Sequence, residues 1–154
     1  MDELDEKILR LLQYEFPIEE RPFDILASRL DMDGESLRQR IQFLIDRGMI
    51  RRLGASLDSR KLGFSSTLAA VSVDADAVDR AAEVIGRYHE VTHSYLRDHH
   101  FNIWFTIIAP NARRIEAILE EIRIGLSLSA SQVLNLPMTR VFKLDARFTA
   151  PRRE

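Results

Sequence analysis

The apolar residues of this chain change their spacing part-way along it, and that change constrains the fold more than any single motif. Up to about residue 47 they recur at helical spacing. Leu4, Ile8, Leu11 and Leu12 fall on one face of a helix predicted over 4–13. Phe16-Pro17 ends it, because proline disfavours a helical residue before it. Pro22 suits the first turn of a second helix over 23–30. Asp33 is placed to cap a third over 35–47, whose Leu37, Ile41, Leu44 and Ile45 share a face and which Gly48 stops. Three short helices with a tight turn between the last two predict a helix-turn-helix. Residues 49–57 then read as a strand and 58–63 as a turn, giving a wing or linker.

Beyond Gly63 the pattern alternates. Strands are predicted over 64–73, 91–97, 101–109 and 132–143, the last interrupted by Pro137. Helices are predicted over 75–88, opened by Asp74 or Asp76, and over 111–125, with Ile115, Ile118, Leu119 and Ile122 on one side. The order β-α-β-β-α-β is ferredoxin-like. The fold expected is therefore α+β, with a winged helix-turn-helix domain with its linker strand over 1–62 and a ferredoxin-like domain over 63–154. Such a sheet covers one face with its helices and leaves the other for a partner, a ligand or solvent.

Composition bounds the function. There is no cysteine, so disulfides, thiolate catalysis and cysteine-ligated metals are excluded. No apolar run approaches the roughly 18 residues of a membrane span. The acidic, amphipathic start MDELDEKILR lacks the layout of an export signal, so a cytoplasmic protein is expected, with no membrane partner. Net charge is −2; residues 1–62 hold 13 acidic and 11 basic side chains, and residues 63–154 hold 11 of each. A DNA-binding module usually carries a basic excess, because phosphate neutralisation supplies much of its affinity. Neither half does, which argues against DNA as a partner. No phosphate loop, nucleophile elbow or zinc spacing is present, and no metal site is expected.

The segment Val91-Thr-His-Ser-Tyr-Leu-Arg97 and Phe101-Asn-Ile-Trp-Phe-Thr106 carries the chemistry. A two-residue turn at His99-His100 would pair Arg97 with Asn102, Tyr95 with Trp104 and His93 with Thr106, all on one sheet face. Ser94, Leu96, Ile103, Phe105 and Ile107 would then face the helices. A one-residue slip would scramble this sorting, so the sorting supports the register, although His-His is not a favoured turn pair. The resulting face is too polar for a core and too aromatic for ordinary solvent contact. Each member also has a plainer reading. His93 can be a satisfied structural histidine, Tyr95 and Trp104 can be interface packing, Arg51 and Arg52 can be solvated or touch phosphate, and Arg97 can pair with Asp98 or Glu90.

The layout over nearly the whole chain resembles that of the AsnC/Lrp transcription regulators, and Leu30 to Arg52 looks like their third helix and wing. Local features are similar to the siroheme decarboxylase branch of that scaffold: Glu15-Phe-Pro-Ile-Glu-Glu-Arg-Pro-Phe23 between the first helices, the wing Ile50-Arg-Arg-Leu-Gly to Leu62-Gly-Phe64, the hairpin His-x-Tyr-x-Arg followed by Phe-Asn-x-Trp-Phe-Thr, and the tail Leu136 to Lys143. The resemblance implies a carboxy-lyase subunit that works with a homologous second subunit as a heterodimer. Its substrate would be siroheme, which would lose two acetate carboxyls (C12 and C18) to give 12,18-didecarboxysiroheme, in alternative haem or haem d1 biosynthesis.

Siroheme is a large ring with eight carboxylates. Arg97 suits bidentate capture of one of them. Trp104 and Tyr95 can lie against the ring, and Arg51, Arg52, Arg140 and Lys143 can add cationic contacts. Decarboxylation leaves a carbanion-like carbon that needs a proton. His93 is the first choice of donor and Tyr95 the alternative. His99, His100 and Asn102 complete the set of substrate contacts. No redox cofactor is required, though axial haem ligation by a histidine stays open. The other readings are a DNA-binding regulator, using Arg38, Gln39, Arg40 and Gln42, and a haem-sensing variant of it.

Overall fold

A computed structural model of the chain describes residues 1–145 and 147–148. It divides into two compact units: Met1–Ala55 with the described residues from Lys143 onward, and Ser56–Phe142.

The first unit holds α1 (Glu3–Tyr14), α2 (Pro22–Ser28) and α3 (Gly34–Asp46). Asp2 and Asp5 form a reciprocal cap at the start of α1: the Asp2 carboxylate accepts from the Asp5 amide at 2.8 Å, and the Asp5 carboxylate accepts from the Asp2 amide at 2.9 Å. Pro22 opens α2 and the Asp33 side chain caps α3, as their positions predict. Gly48 adopts φ +71° and donates to the Ile45 carbonyl, the left-handed stop that glycine makes cheaply. Ile8, Leu26, Ala27, Leu37, Ile41, Leu44 and Ile50 form the core of this unit.

The strand expected over 49–57 does not form. Ile50 turns back, its amide and that of Met49 both donating to the Leu44 carbonyl, and residues 51–57 run exposed with no strand beside them. The wing is thus an unpaired segment: a strand needs a ladder partner, and this stretch has none among the described residues.

The second unit holds β1 (Ser65–Val71), α4 (Val78–Gly86), β2 (Val91–Leu96), β3 (Ile103–Ala109), α5 (Ala112–Gly125) and β4 (Val133–Pro137). The sheet order is β2-β3-β1-β4, with every pair antiparallel. Ala69, Val71, Ile103, Phe105, Ile107 and Ala109 point inward against Ala81 and Ile85 of α4 and Ile115, Ile118, Leu119 and Ile122 of α5. Burying a side chain such as Phe105 stabilises by about 1.5–3 kcal/mol. Asn111 caps α5 by accepting from the Arg114 amide at 2.9 Å.

Several element boundaries differ from expectation. The helix expected over 75–88 starts as a 3-10 turn at Ala75–Ala77, where Asp74 makes no side-chain cap bond, and ends at Gly86. β3 begins at Ile103 rather than at residue 101. β4 stops at Pro137, opposite Thr67, so Arg140 and Lys143 lie beyond the strand rather than on it.

Candidate functional site

The hairpin of β2 and β3 has the register that its alternation predicts. His93 pairs with Thr106, Ser94 with Phe105, Tyr95 with Trp104 and Leu96 with Ile103. The Arg97 amide donates to the Asn102 carbonyl at 2.8 Å, which extends the register one step past the strands. The turn differs: Asp98 to Phe101 form a four-residue loop instead of a two-residue turn at His99-His100. The His99 amide donates back to the Arg97 carbonyl, and the His99 Nδ1 accepts from the Phe101 amide at 3.1 Å.

On β3 the inward residues are buried and the outward ones are half-buried. β2 is an edge strand, and there the expected packing under the helices fails: Ser94 and Leu96 point to the helix side yet stay exposed. Val91 instead reaches the core from the start of the strand. Between Val91 and His93 the ladder bulges: Val91 pairs with Ile107 and His93 with Thr106, so the extra residue, Thr92, is absorbed while Val91 faces inward and His93 outward.

The sheet register extends the open face beyond the hairpin. One cross-sheet row runs Tyr95, Trp104, Ala70, Leu134, and the next runs His93, Thr106, Leu68, Leu136. The half on β2 and β3 is aromatic and polar, and the half on β1 and β4 is aliphatic. Leu68 and Leu136 are exposed at 44% and 46%, Tyr95 at 54%. Leu68, Leu134 and Leu136 were not among the expected site residues, although the alternation Val133-Leu134-Asn135-Leu136 carries the signal.

The expected residues are not all placed alike. His93 and Tyr95 lie together on the face, their rings near parallel with centroids 6.3 Å apart, and the His93 Nδ1 lies 3.0 Å from the Thr92 hydroxyl. Trp104 joins them across the ladder, but its indole N–H donates to the Phe101 carbonyl at 2.7 Å, so it offers the face a ring and not a donor. At the loop tip His99 tilts against Trp104 (6.4 Å), and His100 meets Phe101 edge-on (5.0 Å). Asn102 is committed to the backbone: its amide donates to the Val73 carbonyl at 2.8 Å and accepts from the Val73 N–H at 3.1 Å.

Arg97 makes no ion pair among the described residues. Neither Asp98 nor Glu90 takes it, and Glu90 is bound instead by Arg114 of α5 at 2.9 Å. That bond holds the Glu90 carboxyl below its ordinary range. Arg140 lies in the irregular segment after β4 with its guanidinium 4.8 Å over the Phe142 ring. Arg51, Arg52 and Lys143 belong to the first unit.

In the first unit, the four α3 side chains expected to read bases are each held by an acid of the same unit. Arg38 bonds to Glu35 at 3.2 Å and faces Asp24 at 3.5 Å. Gln39 donates to Glu35 at 3.2 Å, and Gln42 to Asp46 at 2.8 Å. Arg40 donates to the buried Asp5 at 2.6 Å and also meets Asp2.

Fold and site together define a class: a helix-turn-helix unit followed by a four-stranded sheet with helices on one face and exposed aromatic and aliphatic side chains on the other. Comparison with known proteins narrows it. Residues 5–51 match the siroheme decarboxylase NirDL-like HTH domain, and residues 61–143 match the AsnC-like ligand binding domain. The siroheme decarboxylase alpha subunit of Desulfovibrio desulfuricans is 40% identical, covering 96% of this chain and 84% of that one. The alpha subunit of Nitratidesulfovibrio vulgaris is 41% identical, covering 96% and 82%. Among solved structures, the siroheme decarboxylase NirDL in co-complex with an iron-uroporphyrin III analogue aligns with TM-score 0.71 and 28% identity, over 95% of this chain and 48% of that one. The chain belongs to the siroheme decarboxylase subunit family.

Proposed function

We propose that this chain is a carboxy-lyase subunit that removes the C12 and C18 acetate carboxyls of siroheme, giving 12,18-didecarboxysiroheme, together with a homologous second subunit. The observation that carries the reading is the grouping of His93, Tyr95 and Trp104 on one uncovered sheet face beside an aliphatic floor. A flat macrocycle fits such a floor, and the ring of Trp104 and the ring of Tyr95 suit stacking against it. Arg97, which makes no ion pair among the described residues, serves as a carboxylate clamp, and Arg140 of the same unit adds a further cation. His99 and His100 present imidazoles at the rim. Asn102 supports the site by tying the hairpin to Val73.

The chemistry required of the protein is small. The acetate C–C bond breaks, carbon dioxide leaves, and the electron pair stays on the methylene carbon, where the macrocycle delocalises it. His93 in its imidazolium form gives that carbon a proton and is left neutral. No electrons enter or leave overall, so the reaction needs no redox partner. A heterodimer explains why so much of the face is open in a single chain. No helix among the described residues is long and apolar enough to cross a membrane, in keeping with the proposed placement in the cytoplasm.

The test is anaerobic incubation of the chain and a homologous partner subunit with siroheme, followed by mass analysis of the tetrapyrrole. Loss of two carbon dioxides is expected. A tetrapyrrole of unchanged mass overturns the reading.

A further inference from the structure

Thr92 is an extra residue in the ladder. Val91 already opposes Ile107 and His93 already opposes Thr106, so deleting Thr92 would leave a regular pairing with the same two side chains facing the same two ways. The sheet does not need the bulge to sort its faces. What the bulge adds is a hydroxyl beside the imidazole: the Thr92 Oγ1 lies 3.0 Å from the His93 Nδ1. Bulges gather next to active sites because they aim a side chain.

The bulge is also anchored. The Glu90 carbonyl accepts from the Ile108 amide at 2.9 Å, and the Val91 amide donates to the Tyr88 carbonyl at 3.0 Å. The Glu90 side chain, 7% exposed, is gripped by Arg114, whose other arm reaches Glu121 at 3.1 Å. A buried, paired carboxylate fixes the backbone two residues before Thr92 to helix α5. The Tyr95 ring lies near parallel to the imidazole, their centroids 6.3 Å apart.

From this geometry we infer that Thr92 is a positioning residue: its hydroxyl accepts from the His93 Nδ1–H, fixes that tautomer and leaves Nε2 as the atom that exchanges a proton with substrate. The inference rests on the role given to His93 above. In the step it describes, the imidazolium Nε2–H is transferred to the carbanion-like carbon, and Nδ1–H stays bonded to Thr92 throughout. Which ring nitrogen carries the proton is set by the bond the other makes.

Two variants and two readouts test it. Long-range proton–nitrogen correlation spectra of the neutral His93 ring are recorded in the whole chain for the wild type, Thr92→Val and Thr92→Ser. The wild type and Thr92→Ser are expected to hold the proton on Nδ1, and Thr92→Val, which keeps the β-branch and loses the hydroxyl, to move it to Nε2. In the assay with the partner subunit, Thr92→Val is expected to lower kcat about tenfold with KM little changed, and Thr92→Ser to restore it. An unchanged tautomer in Thr92→Val overturns the inference, as does an unrestored kcat in Thr92→Ser with the spectrum restored. A wild type that fails to decarboxylate siroheme while its tautomer responds to Thr92→Val refutes the proposed reaction and leaves the Thr92–His93 bond standing.

Discussion

His93 stands at the point where the β2 edge, the open face and the proposed proton transfer meet. Replacing it with glutamine keeps a polar side chain of similar reach and removes the titrating ring. A positioned acid typically contributes roughly 10²–10⁴ in rate, so His93→Gln is expected to lower kcat by at least about a hundredfold, measured as product formed under saturating siroheme. Asn102 makes the contrary case. In the sequence it sits on the same face as Trp104 and reads as a substrate contact, yet its amide closes both bonds to Val73. Asn102→Ala leaves a backbone donor and acceptor without partners, which costs about 1–3 kcal/mol. A matching fall in the urea midpoint of the second unit checks it. The alternation of β2 and β3 made the register and the outward set legible, since a strand has only two faces. The engagement of Asn102 with Val73, and of the Trp104 indole with Phe101, was not legible: both partners are backbone groups brought close by folding, and a backbone group leaves no mark in a sequence.

At the scale of elements, local chemistry predicted the helices better than the strands. Pro22, Asp33 and Gly48 act within a few residues of themselves, so their caps and stops could be read directly. Residues 49–57 and the far half of 132–143 have strand-like composition but no strand alongside, and pairing is decided elsewhere in the chain. The α3 cap gives a pH dependence with a definite sign. The Ser36 hydroxyl bonds the Asp33 carboxylate at 2.6 Å and the Ser36 amide at 2.8 Å, and together they hold its pKa below the ordinary 3.8. A folded value lower than the unfolded one means the cap contributes fully above 3.8 and is lost as pH falls below it. Carbon-detected titration of Asp33 between pH 2 and about 5 is expected to show its midpoint below that of a model peptide. Asp33→Asn caps without ionising, so helix content attributable to this cap should then be flat over the same range.

For the whole molecule, charge and fold give opposite signals about nucleic acid, and side-chain pairing resolves them. A helix-turn-helix is present, but Arg38 and Arg40 of its third helix are paired with Glu35, Asp24, Asp5 and Asp2, Gln42 is bound by Asp46, and the chain carries net charge −2. Weak association with duplex DNA is expected, with a salt dependence far shallower than the thousandfold or greater loss shown between about 50 and 200 mM salt by a protein making 6–10 phosphate contacts. Fluorescence anisotropy at both salts measures it, and a steep slope would reinstate a regulator. The uncovered sheet has a further consequence. Leu68, Leu134, Leu136 and Trp104 hold a surface that only the folded unit possesses, so whatever settles over it, ring or polypeptide, adds to the work of melting that unit. At a hundredfold excess over its Kd, an occupant adds about 2.7 kcal/mol. Heat resistance that climbs with the amount of tetrapyrrole or sister chain added would therefore report occupancy in a slowed variant such as His93→Gln, where little product forms during the measurement.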